Sequence, residues 1–342
     1  MSRAVTILSI ALIYCGTVFG AGFASGQEIF RFFSAYGIGG ITASIFVGFL
    51  FSFFGWFICF RAKQFSLGDG NAYFHFLFPP KLAKILSALC SAFLVVTFCI
   101  MIAGCGTLAQ EQFSVRPLVG AVGTLFICYF IVCRKVQGLA GLNAVITPFL
   151  FLGVTVFCIL IFMRAENIDV FITHKDSPFL SGKAIFSGVL YLSYNMVSAA
   201  AVLAPAANMA KTEKDAALGG LLGGILVAVP LVLMSVCLVL FENVNTYPLP
   251  FFTLVREISS KLAPFCALLL FGAMLTTAAS AGVSVLANVP EKGTARSALL
   301  LCLLALFVSL IPFGVLVRTM YTLFGFCGLF LLVGIAKTVR RK

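Results

Sequence analysis

The sequence predicts an all-α polytopic membrane protein of ten transmembrane helices in two five-helix halves, and three observations carry that prediction. Of its 342 residues, 61% are hydrophobic and 10% charged, with a mean hydropathy of +1.13, outside the range of a soluble globular domain. Apolar runs close to the length that spans hydrocarbon recur along the whole chain, at 5–34, 38–60, 82–110, 117–133, 139–163, 184–209, 216–241, 262–289, 297–312 and 314–336. With the amino terminus inside, fifteen of the twenty-three basic residues fall on inward segments, among them Arg61, Lys63, Arg134, Lys135 and the tail Arg340, Arg341 and Lys342. The positive-inside rule then places both termini in the cytoplasm.

The first span carries the most informative stretch, CGTVFGAGFASGQE from Cys15 to Glu28. Irregular backbone at membrane depth is tolerated only where protein packs around it or a cavity receives it. Gly16, Gly20, Gly22 and Gly26 give the chain conformations barred to other residues and let a ligand touch backbone. Small residues four apart also serve close helix packing, so both readings stand. Ser25 followed three residues later by Glu28 fits a capping box that starts an outer half-helix near Gly26. Glu28 therefore has two readings: a cap or gate, or direct contact with a substrate ammonium group or a proton.

In the sixth span, FSGVLYLSYNMVSAAAVLAP sets Ser193, Tyr194 and Asn195 between apolar halves, and Pro205 follows. Spans one and six each open a half of five spans, and an odd count turns the second half upside down. Paired interruptions at corresponding positions are the sequence pointer to a transporter's midplane site. The halves run 1–165 and 180–338, in a single membrane domain. Ser193 and Ser198 also have the ordinary alternative of bonding their own helix backbone.

The connections Arg61–Lys81, Arg164–Lys183 and Glu242–Pro250 are the longest polar stretches, so the chemistry must lie among the helices. The twelve cysteines form neither a CxxC pair nor a Cys/His cluster of ligand spacing and read as small apolar residues, with Cys15 open as a pocket wall. His75 and His174 lie in polar connections, and no nucleophile and base pair occurs at membrane depth, which argues against an intramembrane enzyme. The formal charge of +12 is topological and calls for no nucleic acid. In the eighth span, FGAMLTTAASAG offers Thr276, Thr277 and Ser280, hard oxygen donors whose commoner role is helix packing.

The stretch GTVFGAGFASGQEIFRFF, residues 16–33, resembles the first-helix signature of the YkvI-type bacterial membrane proteins, a branch of the amino acid–polyamine–organocation transporter superfamily. That resemblance implies the LeuT-type fold: two inverted five-helix repeats, helices one and six unwound at midmembrane, and a bundle rocking against a scaffold. It also implies a Na⁺ site made by the carbonyls of Gly16, Phe19 and Ala273 with the hydroxyls of Thr276 and Thr277. The fifth span contains no lysine, which in some proton-coupled relatives stands where sodium would sit. The third span lacks the tyrosine that often helps to hold a substrate carboxylate.

The expected activity is secondary active transport of a small organic solute, an amino acid by first preference, coupled to Na⁺ and using no organic cofactor. Substrate contacts are expected from Phe19, Gly20, Ala21, Gly22, Phe23, Ala24, Ser25, Glu28, Phe98, Ser193, Tyr194 and Asn195. Helix amino termini at the two breaks would receive a carboxylate. The alternatives are a proton-coupled carrier using Glu28 and a non-transporting ligand sensor on the same fold. The expected partners are the solute and the lipid bilayer.

Overall fold

A computed structural model describes residues 2–134, 139–164, 178–240, 247–287 and 289–339, and among them every regular element is helical. Lys135, His174, Lys175, Arg340, Arg341 and Lys342 lie outside the described residues. The elements are α1 (Arg3–Val18), α2 (Ala21–Ala24), α3 (Gln27–Phe32), α4 (Ile38–Gln64), α5 (Gly70–Leu77), α6 (Pro80–Phe113), α7 (Pro117–Cys133) and α8 (Leu139–Arg164). They continue as α9 (Gly182–Ala207), α10 (Glu213–Val239), α11 (Pro250–Ile258), α12 (Ala263–Val285), α13 (Glu291–Val308), α14 (Phe313–Leu316) and α15 (Thr322–Val339). Helix is the form that pairs every backbone group within its own segment, which hydrocarbon requires. Polar caps start α5, α9 and α10 through the side chains of Asp69, Ser181 and Thr212, and Pro80, Pro117 and Pro250 sit in the first turn, where a missing N–H costs nothing.

Among the described residues seven helices are long and apolar enough to cross a membrane, so the chain is a multi-pass membrane protein. α1 and α7 are shorter apolar helices, and α13 carries Glu291, Lys292 and Arg296 in its 18 residues. The first segment, read as one span, is three helices in succession. The sixth corrects an expectation: Ser193, Tyr194 and Asn195 lie inside the continuous 26-residue α9, with no unwound stretch. The reason is local. Ser193 Oγ donates to the Leu190 carbonyl at 2.8 Å, Asn195 Nδ2 to Tyr191 at 2.9 Å and Ser198 Oγ to Asn195 at 3.0 Å, so the polar groups are satisfied on the helix they belong to.

The most extensive packing joins α4 to α10; α1 lies on α10 as α9 lies on α4, and α1 and α9 also touch each other. Small residues make the α4–α10 contact close. A Cβ on Gly220 would strike the Gly55 carbonyl, and one on Gly224 the backbone of Ser52. Tyr14 locks α1 to this pair by donating to the Phe51 carbonyl at 2.9 Å.

Two connections contain helices of their own. α5 occupies the Arg61–Lys81 connection. α11 buries Phe251, Phe252, Leu254 and Val255 at one end of the bundle. There Arg256 meets Glu111 of α6 at 3.1 Å, and Arg164 donates to the Ile258 carbonyl at 2.8 Å. The last span contains a π-helical turn, Val317–Tyr321, between α14 and α15.

Candidate functional site

The interruption of the first segment has two joints with different geometry. At the first, Phe19 adopts φ −72° and ψ 67°, the middle of an inverse γ-turn, and Gly20 donates its N–H to the Val18 carbonyl at 2.7 Å. The α-helical bond from Gly20 back to Gly16 is thereby replaced, and the Gly16 carbonyl leaves the ladder. At the second joint Gly26 stands at φ +81°, a left-handed conformation that only glycine adopts without strain. The joints bracket α2, a single turn that packs on α12.

The second joint is pinned from outside. Phe251 donates its N–H to the Ser25 carbonyl at 3.0 Å, and Gln27 Nε2 donates to the Tyr247 and Pro248 carbonyls at 2.9 and 2.8 Å. The start of α11 thus closes over the interruption. Gln27 escaped the sequence reading because its partners lie more than two hundred residues away.

Glu28 is 4% exposed and accepts one hydrogen bond, from the Tyr194 hydroxyl of α9 at 2.6 Å. Its carboxylate lies against Gly22, where any added Cβ would collide with it. The capping box expected of Ser25 and Glu28 does not form. Gly26 occupies the cap position, Ser25 Oγ donates to the Gly22 carbonyl at 2.9 Å, and the glutamate reaches across to another helix. Among the described residues no ammonium or guanidinium pairs with Glu28. Arg3 pairs with Asp215 and Arg256 with Glu111.

Aromatic rings crowd around this bond. Tyr321, delivered by the π-helical turn, stacks on Tyr194 with centroids 5.0 Å apart. Tyr191, Phe32 and Phe93 lie 5.5, 5.8 and 5.9 Å from Tyr194. Among the described residues the buried Tyr191 hydroxyl has no hydrogen bond of full geometry, with the Asn195 side chain as its polar neighbour. Beside Tyr194 a small apolar cavity is bounded by Leu86, Leu89, Phe93, Val197 and Phe324.

Of the remaining expected contacts, Phe19 and Phe23 are buried edge to face at 4.3 Å, with Phe151 of α8 6.4 Å from Phe19. Ala24 is buried, Ala21 opens α2, and Gly20 is the one glycine of the break with open space where a side chain would stand. Ser193 Oγ also donates to the Gly325 carbonyl at 2.5 Å, which ties α9 to α15. Asn195 is turned back onto its own helix. Phe98 is buried against Gly282 of α12, and Phe93, five residues earlier on α6, lies beside Tyr194. Phe93, Tyr191 and Tyr321 were missed because their contribution exists only once α6, α9 and the π-helical turn converge.

The expected cation ligands come from two helices, Gly16 and the C-cap Phe19 from α1 and Ala273, Thr276 and Thr277 from α12. Gly16 lies against Thr147 of α8, whose Oγ1 would be 2.6 Å from an added Cβ. Thr276 Oγ1 donates to the Gly272 and Ala273 carbonyls at 2.8 and 3.3 Å. Ala273 is buried and Thr277 half-buried. The described cysteines are all free, and Cys15 is fully packed rather than open to a pocket.

This architecture is that of known membrane transporters. The chain is similar to the Eremococcus coleocola manganese transporter, solved with an aromatic bis-isothiourea compound, at a TM-score of 0.65 and 11% identity over 97% of this chain and 78% of that one. It is also similar to a Na⁺-coupled sialic acid symporter in a substrate-bound outward-open state, at a TM-score of 0.54 and 13% identity over 94% and 82%. In sequence it is similar to two Bacillus subtilis (strain 168) proteins. The membrane protein YkvI is 27% identical over 326 residues, covering 94% of this chain and 92% of YkvI, and YyaD is 26% identical over 340 residues, covering 94% of each. No protein-family model matches the chain.

Proposed function

We propose that the chain is a secondary active transporter of a small organic solute, an amino acid by first preference, working by alternating access with Na⁺ coupling in a LeuT-type fold of the amino acid–polyamine–organocation superfamily. The observation that carries the reading is the double-jointed first segment, which frees backbone at the level where Glu28 meets Tyr194. The likeness to a manganese transporter and to a sodium-coupled symporter supports transport over catalysis or sensing.

Ten spans in two inverted halves follow from taking α1–α3 as one crossing and α14–α15 as another, with both termini in the cytoplasm of a bacterial inner membrane. The reciprocal packing of α1 on α10 and α9 on α4 supports the inversion, since these are the cross-contacts that exchanging the halves would interconvert. α11 then lies on the outer side as the closure of the solute path.

In this reading Na⁺ is held by the Gly16, Phe19 and Ala273 carbonyls and the Thr276 and Thr277 hydroxyls. The release of Gly16 from the helical ladder supports it, and Thr276 must turn from its own helix to join. Uptake of labelled amino acids into proteoliposomes is expected to rise with an inward Na⁺ gradient, and Thr276→Val with Thr277→Val to abolish that rise in a protein of unchanged thermal stability. Sodium-independent uptake overturns the coupling. A second reading, proton coupling through Glu28, is favoured by the burial of that carboxylate away from any cationic partner among the described residues, and uptake driven by a pH gradient alone selects it.

A further inference from the structure

We propose that Cys158 and Cys237 form a thiol pair that a small organic disulfide converts to a disulfide bond, locking α8 to α10 beneath α11. The bond itself stands apart from any reading of function. Its effect on the solute path rests on the transporter reading.

Three helices bring cysteines to one place. Cys158 lies in the last two turns of α8, Cys237 in the last turn of α10 and Cys266 in the first turn of α12, and all three are buried. Cys237 Sγ donates to the Cys158 carbonyl at 3.4 Å, and the two thiols also meet side chain to side chain, with Cys266 close by. Cysteines whose side chains point apart cannot be bridged without backbone movement, whereas a thiol already against its neighbour's sulfur and carbonyl needs only side-chain rotation.

The residues beside the pair seat α11 and the second joint of the first segment. Phe157, next to Cys158, packs edge to face on Phe251 of α11 at 6.4 Å. Leu238, next to Cys237, stands 3.4 Å from where a Cβ on Gly26 would lie, and Phe251 donates its N–H to the Ser25 carbonyl. A bond between the thiols therefore ties together the two helices on which this closure rests. With α11 seated both thiols are shielded, so oxidation follows its lifting and then seals it down.

The chemistry is two successive thiol–disulfide exchanges. The Cys237 thiolate attacks one sulfur of the organic disulfide RSSR, forming a mixed disulfide and displacing RS⁻, which takes up the Cys237 proton as RSH. The Cys158 sulfur then attacks the Cys237 sulfur, breaking its bond to SR, and a second RSH leaves with the Cys158 proton. Together the cysteines give up two electrons and two protons, and RSSR gains them. On the outer side of the membrane the bond persists, away from the thiol pools that reduce cytosolic disulfides.

Purified full-length protein in lipid nanodiscs, treated with millimolar hydroxyethyl disulfide and digested without reduction, is expected to yield peptides joined through Cys158 and Cys237. Hydrogen exchange across Pro250–Ile258 is expected to slow by about tenfold and to recover in dithiothreitol, since a cross-link disfavours the opened state. Cys158→Ala and Cys237→Ala are each expected to abolish the joined peptides and the slowing, whereas Cys266→Ala keeps both. Should one of the first two fail to give a single monodisperse species, the other carries the test. The proposal is overturned if no joined peptide forms, if Cys266 is the partner instead, or if exchange is unchanged by the bond. Uptake of labelled alanine into proteoliposomes separates the two levels. Uptake that falls on oxidation and returns in dithiothreitol supports the lock, and unchanged uptake by fully joined protein overturns it. No uptake by the reduced protein counts against the transporter reading and leaves the bond and its exchange signature standing.

Discussion

The first and sixth segments place glycines, hydroxyls and one strongly polar side chain at comparable positions, yet one folds as three short helices and the other as an unbroken 26-residue helix. The difference lies in what each segment can satisfy by itself. In α9 the side chains of Ser193, Asn195 and Ser198 bond carbonyls three or four residues back, so polarity costs the helix nothing. In the first segment Gly20 turns back to Val18, Gly26 enters the left-handed region, and the loose backbone is tied to Phe251 and, through the Gln27 side chain, to the Tyr247 and Pro248 carbonyls instead. Glycine placement with external anchors breaks a membrane helix, whereas polar residues alone do not. The continuous helix then works as a platform that presents Tyr194 to Glu28.

Substitutions that sharpen this contrast rank by how much each removes. Tyr194→Phe leaves a buried carboxylate without its one hydrogen bond and is expected to cost about 3 kcal/mol in unfolding measurements, with Glu28→Gln on the same background recovering part of the loss. Gly26→Ala forces a side chain into the left-handed region beside Phe251 and is expected to cost about 1–2 kcal/mol, with Gly26→Asn losing less. Ser193→Ala removes the bond that joins α9 to α15 and is expected to cost about 1 kcal/mol. Ser198→Ala deletes only a bond within its own helix and is expected to change stability by less than about 0.5 kcal/mol. A large loss at Ser198 with none at Gly26 would reverse the contrast.

Much of this was legible from residues alone, for reasons that can be stated. The membrane class and the segment positions follow from apolar run lengths, which the bilayer sets directly. The first break is visible because glycine spacing acts on local backbone, and both joints fall within the stretch Cys15–Glu28. The sixth break was misread because polarity inside a span is ambiguous until its hydrogen-bond partners are known. Ser25 and Glu28 match a capping pattern, but the left-handed Gly26 takes the cap and Tyr194 takes the carboxylate. The aromatic surround was invisible for a different reason: Phe93, Tyr191 and Tyr321 come from helices distant in sequence, and the π-helical turn that aims Tyr321 has no signature in the run VRTMY.

Hydrogen exchange of the protein in lipid nanodiscs, read by mass spectrometry on peptides from both segments, tests the central contrast most directly. The expected result is faster exchange across Phe19–Gln27 than across Ser193–Val197, with a bound solute slowing the first and leaving the second unchanged. Equal protection of the two, or ligand-sensitive exchange confined to Ser193–Val197, would contradict the assignment of the first-segment break as the binding element.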